Sequence, residues 1–294
     1  MPRSMLVDRF VLPALAGVAF AGGAAVLFAR VDAPPAARIV HVAAGRTAGT
    51  GTARRPLGSL QAAVEAGLPP GSVVVVDGAA GPLVGDVAVA GLRGVAGSPI
   101  VIRGTNGAPH AVIRGRLRLS DVAHVRLENL AFEPAEGDAP AVDIAGTGVV
   151  VRNCAVTGGA GDGLRFSGVD LVLADSDIAA CSGVGVVLAG VGRIEAARIR
   201  ACGQGAVAAG GEARIVNSFL LHNRGPAVRL APGATLRCYH NLIYDNSGGL
   251  MLDGCAAARV LNNIFLNNYA TPLLGPDDVE VSVAGGDLEI DANV

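Results

Sequence analysis

The chain contains no lysine and no tryptophan, and only 3% of its 294 residues are aromatic. All 23 basic residues are therefore arginine, which removes lysine from any mechanism. With so few large rings, a core has to be assembled from many small aliphatic side chains in a regular lattice. The 51% hydrophobic content and 42 glycines fit that kind of construction. A net charge of −2 offers nothing to a polyanion as a whole, so there is no case for a nucleic-acid partner. The five cysteines, Cys154, Cys181, Cys202, Cys238 and Cys255, form no C-x-x-C pattern, and a zinc site has no support. Their odd number leaves at least one thiol unpaired in an exported protein. No cysteine precedes Cys154, which excludes a lipoprotein-type anchor.

Charge is also missing from one long run, Phe10 to Ala29, preceded by Arg3 and Arg9. Its twenty residues are enough to span a bilayer and exceed the usual apolar core of a signal peptide. The basic flank predicts a cytoplasmic N-terminus with the remainder exported. Residues 1–30 are thus expected to be a signal anchor or a signal peptide, with a small-residue cleavage site after Ala29 as the alternative. The length favours the uncleaved anchor, hence a membrane-attached protein at the extracytoplasmic face, or a secreted one if cut. Residues 31–38, with "DAPPAAR" from Asp32, read as an extended linker.

Beyond residue 38 the chain repeats itself. "VRLENLAF" (125–132), "VVVRNCAV" (149–156), "LVLADSDI" (171–178), "ARIVNSFL" (213–220), "LRCYHNLI" (236–243) and "RVLNNIF" (259–265) each place a polar residue between short apolar strands. "RIEAARI" (193–199) is a degenerate copy. Aligning Asn129, Asn153, Asp175, Ala196, Asn217, His240 and Asn262 gives spacings of 24, 22, 21, 21, 23 and 22. A second short strand follows each of the first six. A period of about 22 residues with two or three strands per repeat predicts an all-β parallel β-helix solenoid of about ten coils. A leucine-rich repeat would need a leucine ladder, and a sandwich would show hairpin turns rather than equal spacing. Asparagine is costly to bury without partners. In "VLNNIFLNN" (260–268), the register sets Asn268 over Asn246 and Asn223, and Asn263 over Asn241 and Ser218. These amides are expected to bond one another from coil to coil.

From Val40, Gly51-Thr52, Pro56, Ser59-Leu60, Ala63 and Pro70-Gly71 fall in a pattern that resembles the N-terminal cap of right-handed parallel β-helix proteins of the pectin-lyase-like group. "GSPIVIRGTNG" (97–107) is similar to the next segment of such proteins. The resemblance covers nearly all of residues 39–294, with residues 39–75 as the cap and a short capping helix from Ser59 to Ala66. It implies the right-handed fold. It also implies a choice among polysaccharide lyases, polygalacturonase-type hydrolases, epimerases and non-catalytic adhesion or structural solenoids. The aspartate-pair, Gly-His-Gly and Arg-x-Lys signatures of the hydrolases are absent. Lyases of this fold use a lysine or arginine base and often calcium, and only the arginine version is available here.

The best local match to that chemistry is Arg165 as base, with Asp143 and Asp162 beside it. Strand alternation in "AVDI" (141–144) and "GLRF" (163–166) points Asp143 and Arg165 outward on adjacent coils. Asp143, Asp162 and Glu128 are the candidate calcium ligands, with Glu136 and Asp138 in the neighbouring loop. The simpler reading is a surface ion pair worth under about 1 kcal/mol. Three positions before the aligned polar site lie Arg193, Arg214, Arg237 and Arg259, a candidate substrate-binding stripe over four coils. Like charges roughly 4.8 Å apart repel unless something negative covers them, although long guanidinium groups also splay into water. No carboxylate column accompanies the stripe in the aligned repeats. His222 and His240 read as turn residues. The functional expectation is recognition of an extracytoplasmic, anionic polysaccharide, with cleavage by β-elimination if Arg165 acts. A non-catalytic binding or structural solenoid is the alternative.

Overall fold

The computed structural model describes residues 36–105, 110–134, 137–269, 281–282 and 285–294. The expected membrane-spanning run Phe10 to Ala29, and Glu136, lie outside the described residues. No helix among the described residues is long and apolar enough to cross a membrane.

Each regular coil carries three strands. In one coil they are Val228–Leu230, Thr235–Tyr239 and Leu242–Tyr244. Their counterparts one coil on are Leu250–Met251, Ala257–Leu261 and Ile264–Leu266, paired in parallel with Val228 opposite Leu250, Thr235 opposite Ala257 and Leu242 opposite Ile264. First and second strands join a seventeen-stranded sheet, and third strands form a nine-stranded one. The regular solenoid amounts to about seven turns, not about ten. The rungs before Leu117 belong to cap coils that do not keep the 22-residue period, so counting by chain length overshoots.

The seven aligned polar positions all turn out to be left-handed corners. Asn129, Asn153, Asp175, Ala196, Asn217, His240 and Asn262 have φ between 48° and 57°. A side chain in this region crowds its own carbonyl, and short polar side chains tolerate that best, which explains the asparagines and the aspartate among them. A second corner, at Ala180, Ala201, His222, Asp245 and Asn267, has the same conformation, with φ between 53° and 57°.

Between first and second strands the earlier coils bend at glycine instead. Gly168 and Gly190 have φ of 134° and 144°, and a Cβ on either would lie 1.9 Å from a carbonyl oxygen of the coil below. Only glycine lets these backbones approach so closely. The consequence is that first and second strands fuse, as in Leu164–Ala174, Val184–Glu195 and Gln204–Val216.

Inward positions fill the solenoid with Val, Leu, Ile and Ala, and with Phe132 and Phe166. At the inner side of the corners, buried amides replace apolar groups. Asn241 Nδ2 donates to Asn263 Oδ1 (2.9 Å), and Asn263 Nδ2 donates to Asn293 Oδ1 (3.0 Å). Asn223 donates in the same way to Asn246, and Asn246 to Asn268, both at 2.8 Å. Each of these carboxamide oxygens also accepts a backbone N–H from the neighbouring coil, so the ladders fix the register at no cost in orphaned polar groups. The five cysteines are buried and unpaired.

Helix α1, Leu60–Glu65, closes the N-terminal end and buries Leu60 and Ala63. Ser59 caps it by accepting from the Ala62 N–H (3.2 Å).

Candidate functional site

On the first-strand face, Ala88, Arg118, Asp143 and Arg165 lie in one register column. Strand alternation turns all of them outward, so Asp143 sits between two arginines, with Arg118 Nε 3.9 Å away. Arg165 is held from the side by Asp162 Oδ2 (2.8 Å), while Asp162 Oδ1 accepts the Val184 N–H of the next coil (2.9 Å). Both Asp162 oxygens are therefore engaged, one of them structurally. A cavity of ≈ 270 Å³ lies at the N-terminal side of the column, lined by Asp86, Arg116, Arg118, Pro140 and Asp143.

Glu128 lies elsewhere. It belongs to the second-strand face, in register between Arg103 and Arg152. Calcium wants six or more oxygens converging on one point. Asp143 faces arginine, Asp162 is spent on Arg165 and a backbone N–H, and Glu128 is on another column. No cluster of three or more His, Cys, Asp or Glu is formed among the described residues. These carboxylates do not fit a calcium cage.

Also on the second-strand face, Arg193, Arg214, Arg237 and Arg259 are direct register partners over four coils. The absence of accompanying carboxylates is corrected by the structure. Glu195 reaches Arg193 (3.5 Å), Glu212 reaches Arg237 (3.3 Å), and Glu289, opposite Arg259, reaches it at 3.1 Å. Glu212 escapes detection by alignment because it sits two residues off the column and pairs diagonally with the next coil. Among the described residues Arg214 forms no ion pair. A groove of ≈ 190 Å³ runs beside it, lined by Asp170, Arg193, Glu212, Arg214 and Arg237. Positive groups thus outnumber carboxylates in the groove, with hydrogen-bond donors and acceptors interleaved.

The parallel coils agree with the comparison against known families. The family described as "Right handed beta helix region" matches residues 117–285, more than half of the chain. The chain belongs to the right-handed beta helix family. Solved structures of the same β-helix architecture include a pectate lyase, with a TM-score of 0.64 and 13% identity over 88% of this chain and 80% of that one. A rhamnogalacturonan lyase matches with a TM-score of 0.59 and 12% identity over 87% of each chain. An alginate lyase from a Paenibacillus species matches with a TM-score of 0.57 and 15% identity over 87% and 99%. At these identities the likeness concerns the fold. No curated protein matches the chain.

Two features of this β-helix carried no signal in the repeat alignment. A cavity of ≈ 320 Å³ in the cap is lined by Arg46, Arg54 and Arg55. His222 Nδ1 lies 2.7 Å from Asp245 Oδ2, and the Tyr244 ring meets the imidazole edge-on. His222 and Asp245 occupy the same second-corner column one coil apart, so aligning that corner as well as the first would have paired them. The cysteines have no part in either surface. Burial pushes Cys154 and Cys238 up to about 12, which makes them inert thiols rather than nucleophiles.

Proposed function

We propose that this β-helix recognises an anionic polysaccharide across its second-strand face. The observation that carries the proposal is the in-register column Arg193, Arg214, Arg237 and Arg259 beside a groove, with Arg214 making no ion pair among the described residues. Arginine forks match carboxylates and sulfates, and the interleaved Asp170 and Glu212 can accept from sugar hydroxyls. The relatives of like fold that act on polysaccharides support the substrate class. The uncharged run Phe10 to Ala29 supports export, with the solenoid held at the extracytoplasmic face.

A second reading, cleavage by β-elimination, is favoured by the Arg118, Asp143 and Arg165 column on the first-strand face. In such a step a base takes the proton beside the uronate carboxylate while the glycosidic oxygen leaves. A guanidinium must first lose its proton to act as base, and its contact with Asp162 opposes that loss. Substrate would have to draw Asp162 away from Arg165.

One experiment separates the readings. The full chain is mixed with polygalacturonate, alginate and their oligomers, with and without calcium, while binding and the ultraviolet absorbance of unsaturated product are followed. Binding without turnover, weakened about tenfold or more in Arg214→Ala/Arg237→Ala, is the expected result. Turnover abolished by Arg165→Ala would replace it with the lyase reading. No binding to any uronate polymer would sink both.

A further inference from the structure

The third-strand sheet changes character along the solenoid. Its outward positions at Asp177, Arg198 and Arg200 are charged and tied together, with Arg200 bonded to both Asp177 oxygens at 3.1 to 3.2 Å. In the next three rungs the same columns hold Phe219, Leu242 and Ile264, and Leu221, Tyr244 and Leu266. Phe219, Ile264 and Leu266 are 46%, 50% and 50% exposed, a dense apolar surface for a solvent-facing sheet. The first-corner residues Asn217, His240 and Asn262 border it on one side, and His222 and Asp245 on the other.

The first border differs from the same corner lower down. There Asn153 Nδ2 donates to Asn129 Oδ1 at 2.7 Å, so the amides satisfy one another. Among the described residues the side chains of Asn217, His240 and Asn262 make no hydrogen bond or ion pair. Together with Phe219, Leu242 and Ile264 they line a shallow cleft of ≈ 410 Å³ that contains no charged residue. On the far side Asp245 presents a carboxylate and fixes His222 through Nδ1, leaving Nε2 outward.

We propose that this face is a binding platform for a neutral oligosaccharide, distinct from the arginine groove. Sugar rings offer an apolar face and a rim of hydroxyls. The apolar face suits Phe219, Tyr244 and their aliphatic neighbours. The hydroxyls suit side-chain amides and imidazole, which both donate and accept. No free cation lies in the cleft to attract a uronate, and Asp245 repels one. The main rival occupant is a second copy of the chain. Three rungs roughly 4.8 Å apart, each two outward side chains wide, cover far less than the ~800 Å² per partner of a stable interface.

The test is titration calorimetry of the full chain with cellohexaose, laminarihexaose and mannohexaose, with hexagalacturonate alongside, plus sedimentation velocity. At least one neutral hexasaccharide should bind. Phe219→Ala and Tyr244→Ala should each weaken it about tenfold, equivalent to about 1.4 kcal/mol, while Arg214→Ala/Arg237→Ala leaves it unchanged. Both truncations are at solvent-facing positions, and an unchanged urea midpoint confirms folding. The proposal is overturned by no binding of the three neutral sugars, by equal loss in the arginine variant, or by self-association abolished by Phe219→Ala. Hexagalacturonate reads the arginine groove separately, so either site can fail without the other.

Discussion

In the coils before Gly203 the inward corner positions hold Leu130, Cys154, Ser176, Cys181, Ala197 and Cys202; in those after it they hold Ser218, Asn223, Asn241, Asn246, Asn263 and Asn268. Both sets are buried, but they tie the coils differently. The thiols make long contacts to carbonyls, such as Cys154 Sγ to Leu127 O at 3.6 Å, whereas each carboxamide both donates and accepts between coils. The bends differ as well. Earlier coils turn on a column of glycines under close backbone contact, and later ones use open loops such as the one around Gly233, where a Cβ would meet nothing within 4 Å. The outer surface changes at nearly the same level. On the first-strand face Arg118, Asp143 and Arg165 alternate in sign, while further along the second-strand face four arginines stack in line. The early coils are tied by close backbone contact and paired charge, and the late coils by amide ladders beneath a column of arginines and an exposed apolar face.

The sharpest way to break this contrast is at the bends. Gly190→Ala forces a Cβ against the Gly168 carbonyl and should cost about 3 kcal/mol or more, read as a lower urea midpoint or failure to fold. Gly233→Ala, at φ 77° in open space, should cost only about 1 kcal/mol. Next comes the ladder. Asn246→Ala strands the Asn223 amide and carbonyls of Leu220 and Tyr244, and should cost about 2–4 kcal/mol. Cys181→Ala, in the same column lower down, should cost about 1 kcal/mol.

A third test uses one thiol from each region. Cys154 and Cys238 stay protonated up to about 12 when folded, against 9.0 for the ordinary group. The unfolded chain therefore releases these protons first as the solution becomes alkaline. The thiols' contribution to stability is complete below pH 9 and is lost between 9 and about 12, on the order of 1 kcal/mol per thiol at pH 10. Urea unfolding at pH 8 and pH 10 should show this loss, and it should shrink by equal amounts in Cys154→Ala and Cys238→Ala. The smallest effects are on the surface. Asp143→Asn should cost less than about 1 kcal/mol and Arg214→Ala less than about 0.5 kcal/mol, because exposed charges are screened. The first loss should fade in high salt; the second removes repulsion from Arg193 and Arg237, so its small effect should shift in the opposite direction as salt is added.

The period and register were legible from single residues. Asn129, Asn153, Asp175, Asn217, His240 and Asn262 stand out among aliphatic neighbours because only a few residue types accept a left-handed corner, and the corner recurs once per coil. Stacking of Asn223, Asn246 and Asn268, and of the four arginines, followed directly from that alignment. The pairing of charges was not legible. Asp162 spends its carboxylate on Arg165 and on Val184, a backbone group that no side-chain pattern advertises. Glu212 meets Arg237 diagonally, next to the bend where the strand register shifts between Leu188 and Gly190.

What the sequence alone determined is the solenoid: a repeating backbone conformation restricts residue choice at the same place in every coil, and that restriction is visible as a period. What only the tertiary structure decided is which outward groups remain available. Whether Arg214 is free, Asp162 occupied, or Asn217 unbonded depends on distances between coils, and on the exact width of each bend between them. Those distances are set by stacking, not by the identity of any one residue.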